Sequence, residues 1–358
     1  MNRLNSILVT GSSGLIGSQA VEHFDRQGCR VIGVDNNMRR QFFGPLGDTT
    51  WNLTRLKNAT TRFEHYELDV RDRSGLFALF KVHAFDAILH CAAQPSHDKA
   101  REIPLVDFEI NALGTANVLE AMRQFCPDAR LVFLSTNKVY GDAPNEVPLK
   151  ETPARYDYAD PANWNGINEE CRIDRTTHSV FGASKVAGDV LAQEYGRYFG
   201  LNVGVFRGGC LTGPNHSGVE LHGFLSYLVK VAISGGSYTV FGYKGKQVRD
   251  NIHSYDVVRA AEEFFLNPRP GEVYNIGGGR ENSVSILEAF DHIEGITGKR
   301  IRWEYHDEPR KGDHICYISD LRKLRSHLPN WTLTYSLERI LEEIVQSERD
   351  HLRTAQAT

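Results

Sequence analysis

The first forty residues constrain the fold of this chain more than any other stretch. The β-branched run "SILVT" leads into "GSSGLIGSQAVEHFDRQG", and a second apolar run, "RVIGV", is followed at once by Asp35. Gly11, Gly14 and Gly17 fall in the turn and the first helical turn, where missing side chains let the backbone approach a pyrophosphate and let the helix pack closely on a sheet. The pattern predicts a strand, a helix and a second strand that together bind a dinucleotide.

Such a unit is typical of an open parallel sheet with helices on both faces. We therefore predict an α/β fold, a Rossmann-type doubly wound parallel sheet with a smaller C-terminal substrate-binding lobe. Residues 1–206 should form the cofactor-binding lobe, with 251–278 returning to it, and residues 207–358 should form mainly the second lobe. The candidate cofactor contacts at the turn are Gly11, Ser13, Gly14, Leu15, Ile16 and Gly17.

The residue after the second strand favours NAD over NADP. Asp35 lies at the offset expected for a carboxylate that accepts the ribose hydroxyls of NAD, where a 2'-phosphate would meet its negative charge. Arg39 and Arg40 could favour NADP, but two loop arginines are more often solvated, so we expect NAD. Asn36, beside Asp35, is a further candidate contact.

Two later strands supply the remaining candidate cofactor contacts. "HYELDVRD" should end a third strand with Asp69 and Val70 near the adenine. "DAILHCAAQ" should end a fourth strand with the small residues Ala92 and Ala93 beside the cofactor.

Composition excludes several classes of function. The chain has 358 residues, a formal net charge of -4 and no basic stripe, so nucleic-acid binding is not expected. No apolar run is long enough to span a bilayer or to serve as a signal peptide, which predicts a cytoplasmic protein that does not bind membranes. The six cysteines are scattered without a C-x-x-C pair, which predicts reduced thiols and no metal site.

A strand end and a helix supply the candidate reactive residues. "RLVFLSTNKVYGD" should end a buried strand at Thr136, where an open parallel sheet places its ligands, so Thr136 could hydrogen-bond a substrate hydroxyl. A bond from Thr136 to the local backbone is the alternative. The helix "FGASKVAGDVLAQEYGRYFG" places Phe181 and Lys185 on one face.

Taken together, these motifs resemble the extended short-chain dehydrogenase/reductase family across nearly the whole chain. The family pattern is met at Gly11/Gly14/Gly17, at Asp35, at Thr136 with "VYG", and at Lys185, but Phe181 stands where the family has tyrosine. "STNKVYGD", "DFEIN", "GKQVRD" and the long stretch from Asp142 to His178 resemble the nucleotide-sugar 2-epimerases of that family.

The resemblance implies a tightly held NAD that oxidises a sugar carbinol transiently and then returns the hydride, without net redox change. It implies that Arg249 and Arg310 hold the diphosphate of a nucleotide-diphosphate sugar, and that two long helices pair in a homodimer. Thr136 and Asn137 are the other candidate substrate contacts. The asparagine that the family carries after the reactive helix is Cys210 here.

Phe181 raises the question of which group takes the carbinol proton. The family tyrosine does so as a tyrosinate that the lysine favours, and phenylalanine has no hydroxyl to replace it. Lys185, His178, Cys210 and Tyr140 are the nearby titratable candidates, and Lys185 ranks above Cys210 because a neighbouring positive nicotinamide could lower its pKa. The alternatives to a substitute base are a phenylalanine introduced into a tyrosine enzyme and a loss of redox chemistry.

The loss of redox chemistry would leave a protein of another class, a silent NAD or nucleotide-sugar binder. Within the enzyme class, a nucleotide-sugar dehydratase or decarboxylase is the alternative to an epimerase. A dehydratase usually adds an acidic residue beside the threonine, and that neighbour here is Asn137.

Overall fold

The computed structural model of the protein describes residues 4–220, 222–310 and 312–357. The strands are β1 (Ser6–Thr10), β2 (Arg30–Val34), β3 (Phe63–Tyr66), β4 (Ala87–His90), β5 (Arg130–Thr136), β6 (Leu149–Glu151), β7 (Tyr156–Tyr158), β8 (Asn202–Gly208), β9 (Cys210–Thr212), β10 (Ser237–Phe241), β11 (Val248–His253), β12 (Glu272–Ile276), β13 (Ser283–Ser285), β14 (Arg302–His306) and β15 (Cys316–Tyr317). The helices are α1 (Leu15–Arg26), α2 (Met38–Phe43), α3 (Thr50–Ala59), α4 (Arg73–Val82), α5 (His97–Glu102), α6 (Pro104–Phe108), α7 (Thr115–Phe125), α8 (Val180–Arg197), α9 (Phe224–Ser234), α10 (Ser254–Leu266), α11 (Ile286–Thr297), α12 (Arg322–His327) and α13 (Leu337–Ala357).

The predicted doubly wound parallel sheet is confirmed. Seven strands pair in the order β12-β8-β5-β4-β1-β2-β3, and every pairing is parallel. The order reverses beside β1, where α1 begins, so the carboxyl ends of β1 and β4 flank the crevice in which such sheets bind ligands. The central strands are buried along nearly their whole length, as expected of a sheet covered on both faces.

Smaller sheets and three helices form the second part of the molecule. β11 pairs with β13, β15 and β9, while β10 pairs with β14. A core of apolar side chains from α9, α11 and α13 lies beside them, including Leu228, Ile293 and Ile344. β12 nevertheless joins the edge of the main sheet through β8, and α10 packs on α1. The division of the chain into residues 1–206, 207–358 and a returning 251–278 stays a prediction.

Neither a membrane-spanning helix nor a metal cluster occurs in the described ranges. Among the described helices, none combines the length and apolar character needed to cross a bilayer. The described residues also contain no group of three or more His, Cys, Asp or Glu side chains placed to hold a metal ion.

Candidate functional site

A cavity of about 490 Å³ lies between the carboxyl ends of the main sheet and the second lobe. One side carries the glycine turn and the ends of β2, β4 and β5. The opposite side carries residues after β8 and residues of β10 and β11. The sequence candidates that line it are Gly11, Gly14, Leu15, Ile16, Gly17, Asp35, Asn36, Asp69, Val70, Ala92, Ala93, Thr136, Asn137, Phe181, Lys185, Cys210, Arg249 and Arg310.

The glycine turn has the shape of a pyrophosphate cradle. Gly11 has a φ of +68°, and a Cβ there would lie 2.9 Å from the Ala92 nitrogen. A Cβ on Gly17 would lie 2.0 Å from the Gly11 oxygen, so α1 meets the turn in direct backbone contact. The hydroxyls of Ser12 and Ser13 are buried without a hydrogen-bond partner among the described residues. The turn thus leaves space free of side chains at the N-terminus of α1, and two hydroxyls there lack a hydrogen-bond partner among the described residues. Both features fit the binding of a dinucleotide phosphate.

The carboxylate expected at the adenosine ribose is held by backbone groups. Asp35 accepts hydrogen bonds from the backbone nitrogens of Ser13 (3.0 Å) and Asn37 (2.8 Å). Burial raises the pKa of Asp35, and these two bonds oppose the rise. The Asn36 side-chain amide donates to Asp69 (2.9 Å), which fixes two of the predicted adenosine contacts to each other. Ser13 does not itself line the cavity; it acts through its backbone nitrogen on Asp35.

Arg39 is only partly exposed and is held by contacts within the protein, contrary to the expectation for the two loop arginines. Its guanidinium donates to the Ser217 carbonyl (2.6 Å) and lies 3.3 Å from Nδ1 of His222. Burial lowers its pKa to about 10. We call this contact between the segment after β2 and the loop after β9 the Arg39 bridge. Arg40 does lie at the surface, where it pairs with Asp48 at 3.2 Å.

Thr136 combines a cavity position with a local backbone bond. Its Oγ1 accepts from the Lys138 backbone nitrogen (3.2 Å) and so caps the short 3₁₀ helix Asn137–Tyr140. The local role expected as the alternative for a strand-end threonine is thus present, and the hydroxyl also lies close to Asn137 Oδ1 (3.4 Å). The 3₁₀ turn places Asn137 and Lys138 on the cavity wall.

Phe181 and Lys185 lie one turn apart on α8, as predicted. The Lys185 ammonium donates to the Leu134 carbonyl (2.7 Å) and lies 4.3 Å from the centre of the Phe133 ring. Burial lowers the pKa of Lys185 to about 8. The Phe181 ring is 6% exposed and contacts the imidazole of His97, with ring centres 4.9 Å apart.

The other candidates for the missing base differ in their access to the cavity. His178 does not line it, and its Nε2 lies 2.7 Å from the Val139 carbonyl oxygen. Tyr140 is fully buried, donates to Asn275 (2.7 Å) and does not line it either. Cys210 does line the cavity, but burial raises its thiol pKa to about 11. The structure therefore brings Cys210 and Lys185, but not His178 or Tyr140, to the cavity.

Cations gather in the cavity where residues of the second lobe meet the 3₁₀ turn after β5. Asp313 pairs with both Arg249 (2.5 Å) and Lys138 (3.5 Å), and the two cations hold its pKa below the usual range against the opposing effect of burial. Arg310 stacks on the Phe241 ring, with its guanidinium carbon 4.6 Å from the ring centre. The charges of the three cations exceed that of Asp313, which suits an anionic group such as a diphosphate.

Sequence reasoning missed two of the cavity residues that carry chemistry. Lys138 lies within the motif "STNKVYGD", which by itself gives no reason to single it out. His97 follows the "CAAQPS" stretch after β4, and its position just beyond the carboxyl end of a central strand is the signal that could have found it.

Comparison with known proteins fits this geometry. The model of the NAD dependent epimerase/dehydratase family matches residues 7–277. The CDP-paratose 2-epimerase of Salmonella typhi is 32% identical over 333 residues, covering 91% of this chain and 94% of that protein. The structure of UDP-glucose 4-epimerase from Thermotoga maritima with UDP-glucose has a TM-score of 0.76 at 27% identity, covering 97% of this chain and 99% of that one.

A further solved structure bears on the cofactor. The complex of Thermus thermophilus UDP-glucose 4-epimerase with NAD has a TM-score of 0.76 at 26% identity, covering 96% of this chain and 99% of that one. NAD, predicted from the glycine turn and Asp35, is confirmed as the cofactor. The chain belongs to the NAD dependent epimerase/dehydratase family, as the resemblance to extended short-chain dehydrogenases/reductases predicted.

Proposed function

We propose that the protein epimerises a nucleotide-diphosphate sugar at C2, by transient oxidation and re-reduction at the bound NAD. The observation that carries this proposal is the continuity of one cavity from the glycine turn to the cations Arg249 and Arg310. A cofactor pyrophosphate at one end and a substrate diphosphate at the other would place a sugar between them, beside Thr136 and Lys185. The C2 position is supported by the 2-epimerase from Salmonella typhi, whose similarity spans nearly the whole chain.

Each side chain then has a task that its position permits. The glycine turn and Asp35 would hold the pyrophosphate and the adenosine ribose, and Lys185 the nicotinamide ribose. NAD supplies a hydride acceptor when it is bound. Thr136 and Asn137 would orient the sugar hydroxyl, and Arg249 and Arg310 would bind the diphosphate.

The rival activities receive less support from the same site. A dehydratase needs an acid or base beside the threonine to eliminate water, and Thr136 is followed by the amide Asn137 and then by the cation Lys138. A silent sensor would have no use for Lys185 at the cofactor together with a cation cluster at the other end of the cavity. The proposed reaction uses both.

The test is absorbance at 340 nm of the NAD-loaded protein after addition of cytidine, uridine, guanosine and deoxythymidine diphosphate sugars, followed by product analysis. We expect a transient rise with one sugar and the formation of its C2 epimer. Epimerisation at another carbon would refute the C2 assignment. Net accumulation of NADH or loss of water would point to a dehydrogenase or a dehydratase. Binding of every sugar without a spectral change or a product, in the wild type and in Phe181→Tyr, would refute the proposal.

A further inference from the structure

The ring of His97 packs against the ring of Phe181, which stands where the family has tyrosine. His97 is the first residue of α5, in the segment that follows β4, and its imidazole packs on Phe181 with ring centres 4.9 Å apart. Both residues line the cavity. A titratable group therefore contacts the side chain of the reactive helix that lacks the hydroxyl.

One nitrogen of this imidazole is anchored and the other is not. Nδ1 lies 2.9 Å from Oγ of Ser179, the N-cap of α8. That hydroxyl oxygen already accepts from the Gly182 nitrogen and has a second lone pair, so the ring can keep its proton on Nδ1 and a lone pair on Nε2. Nε2 has no hydrogen-bond partner among the described residues. The anchored nitrogen fixes the ring, and the other is available for proton transfer.

We propose that His97 Nε2, in place of the missing tyrosine oxygen, takes the proton of the sugar hydroxyl; this inference rests on the proposed function. The carbinol carbon loses a hydride, which NAD accepts, and its hydroxyl proton passes to Nε2, which leaves a ketone and an imidazolium. Return of the hydride to the other face of the ketone and of the proton to its oxygen restores the imidazole and gives the epimer. Atoms and electrons balance without a further reactant.

The charges around His97 link its basicity to substrate binding. In the free protein, the pKa of His97 is lowered to about 3, chiefly by burial and also by the neighbouring cations, while the Asp313 carboxylate opposes the shift. The charged or titratable groups that act on His97 from the packed elements are Lys138, Arg249, Arg310, Asp313 and His222. A diphosphate seated on the arginines would offset the cations but not the burial, so the pKa of His97 would rise when a substrate is present.

The other cavity groups are less suited to the same task. The Lys185 ammonium already donates to the Leu134 carbonyl, so it is positioned as a donor. Lys138 donates to the Gly312 carbonyl (2.9 Å) and pairs with Asp313. The Cys210 thiol is too weak an acid to be charged near neutral pH, since its pKa is raised to about 11. His97 replaces Lys185 as the first candidate for the base.

The first experiment measures His97 itself and needs no turnover. Protein labelled with ¹³Cε1-histidine is titrated by NMR in its NAD-loaded form, alone and with saturating CDP or UDP, and the resonance lost in His97→Gln is assigned to His97. We expect the pKa of His97 to rise by one unit or more with the diphosphate. An unchanged pKa with a nucleotide shown to be bound would overturn the proposal.

The second experiment uses the sugar found to react. We expect His97→Gln to lower kcat on the order of a hundred to ten thousandfold, with KM changed only a few-fold. In the wild type, kcat should fall as the pH drops below the pKa of His97 in the complex, because a protonated imidazole cannot accept the proton. His97→Gln should lack this acidic limb. His292→Gln, at an exposed position on α11, is the matched control and should keep the wild-type profile.

A rescue variant separates a chemical role from a structural one. His97→Gln/Phe181→Tyr restores a hydroxyl one turn from Lys185, and we expect its kcat to exceed that of His97→Gln at least tenfold. Full activity of His97→Gln with an unchanged pH profile would overturn the role of His97 and leave the epimerase proposal standing. A wild type that is inactive toward every sugar, with an active Phe181→Tyr, would also overturn the role of His97 and leave the epimerase proposal standing. Inactivity of both proteins would refute the proposed function and the role of His97 with it.

Discussion

Gly17 is the position where a single methyl group would do most damage to the cofactor site. Its missing side chain allows α1 to start in contact with the glycine turn, since a Cβ would lie 2.0 Å from the Gly11 oxygen and 2.8 Å from the Ser12 Cα. Both neighbours are backbone atoms, which cannot move aside as a flexible side chain would. The fit of the turn to a pyrophosphate therefore depends on a clearance of about one methyl group.

We predict that Gly17→Ala destabilises the protein by about 1–3 kcal/mol, the usual cost of overpacking, and lowers the NAD content of the purified protein. Gly295→Ala is the matched control, because Gly295 lies in α11 with no described atom near its absent side chain. That change should stabilise the protein by about 0.5–1 kcal/mol through helix propensity. Urea unfolding and the absorbance ratio at 260 and 280 nm measure the two effects. Equal behaviour of the two variants would contradict the prediction.

At the scale of elements, a buried ion pair ties the reactive helix to the sheet. Asp189 of α8 and Arg207 of β8 lie 2.8 Å apart with side chains 1% and 5% exposed. The same carboxylate accepts from the Ser135 hydroxyl at the end of β5. Asp189 is one turn beyond Lys185, so this cluster sets the position of α8 and, through it, the depth of Phe181 and Lys185 in the cavity.

We predict that Asp189→Asn costs about 3–5 kcal/mol of stability, because it leaves the Arg207 charge buried without its partner. Glu64→Gln is the control, since Glu64 pairs with Arg30 at a similar distance of 2.9 Å but about half exposed. Its cost should be below about 1 kcal/mol. Urea denaturation of both variants gives the comparison. A cost for Asp189→Asn as small as that for Glu64→Gln would show that the buried pair does not hold the helix.

The elements that sequence reasoning found are those with strong local signals. The glycine spacing predicted the start of α1, and the i, i+4 relation of Phe181 and Lys185 needed only helical geometry. His97 and the Arg39 bridge were missed because their roles come from contacts between segments far apart in the chain, such as His97 with Ser179 and Arg39 with Ser217. Local sequence patterns do not reveal which segments, far apart in the chain, come into contact in the fold.

At the scale of the whole molecule, the predicted homodimer has a candidate surface. The helical stretch that begins with α6 and continues through a π-helical turn into α7 exposes Leu105 (78%), Phe108 (51%) and Leu113 (42%). Val190 on the neighbouring α8 is 40% exposed. Large apolar side chains exposed on adjacent helices favour burial against another protein surface, which a second copy of the chain would supply in the predicted homodimer.

We predict that Leu105→Glu/Phe108→Glu converts a dimer into a monomer, because two carboxylates would be buried without partners. Light scattering coupled to size-exclusion chromatography measures the mass. Val82→Glu, on α4 at 73% exposure, is the control and should leave the mass unchanged. A wild-type mass of one chain would contradict the predicted dimer, and an unchanged mass of the double variant would place its interface elsewhere.

The Arg39 bridge has a consequence for the lifetime of the bound cofactor. It joins a segment of the first lobe to a loop of the second across the adenosine side of the cavity, through Ser217 and His222. A dinucleotide bound at the glycine turn would lie in the cavity that these three residues help to line, and breaking their contacts would widen its way out. Exchange with free NAD or NADH would then depend on how often these contacts open. A hydride removed from a sugar would then stay on the bound cofactor until it returns to the same sugar.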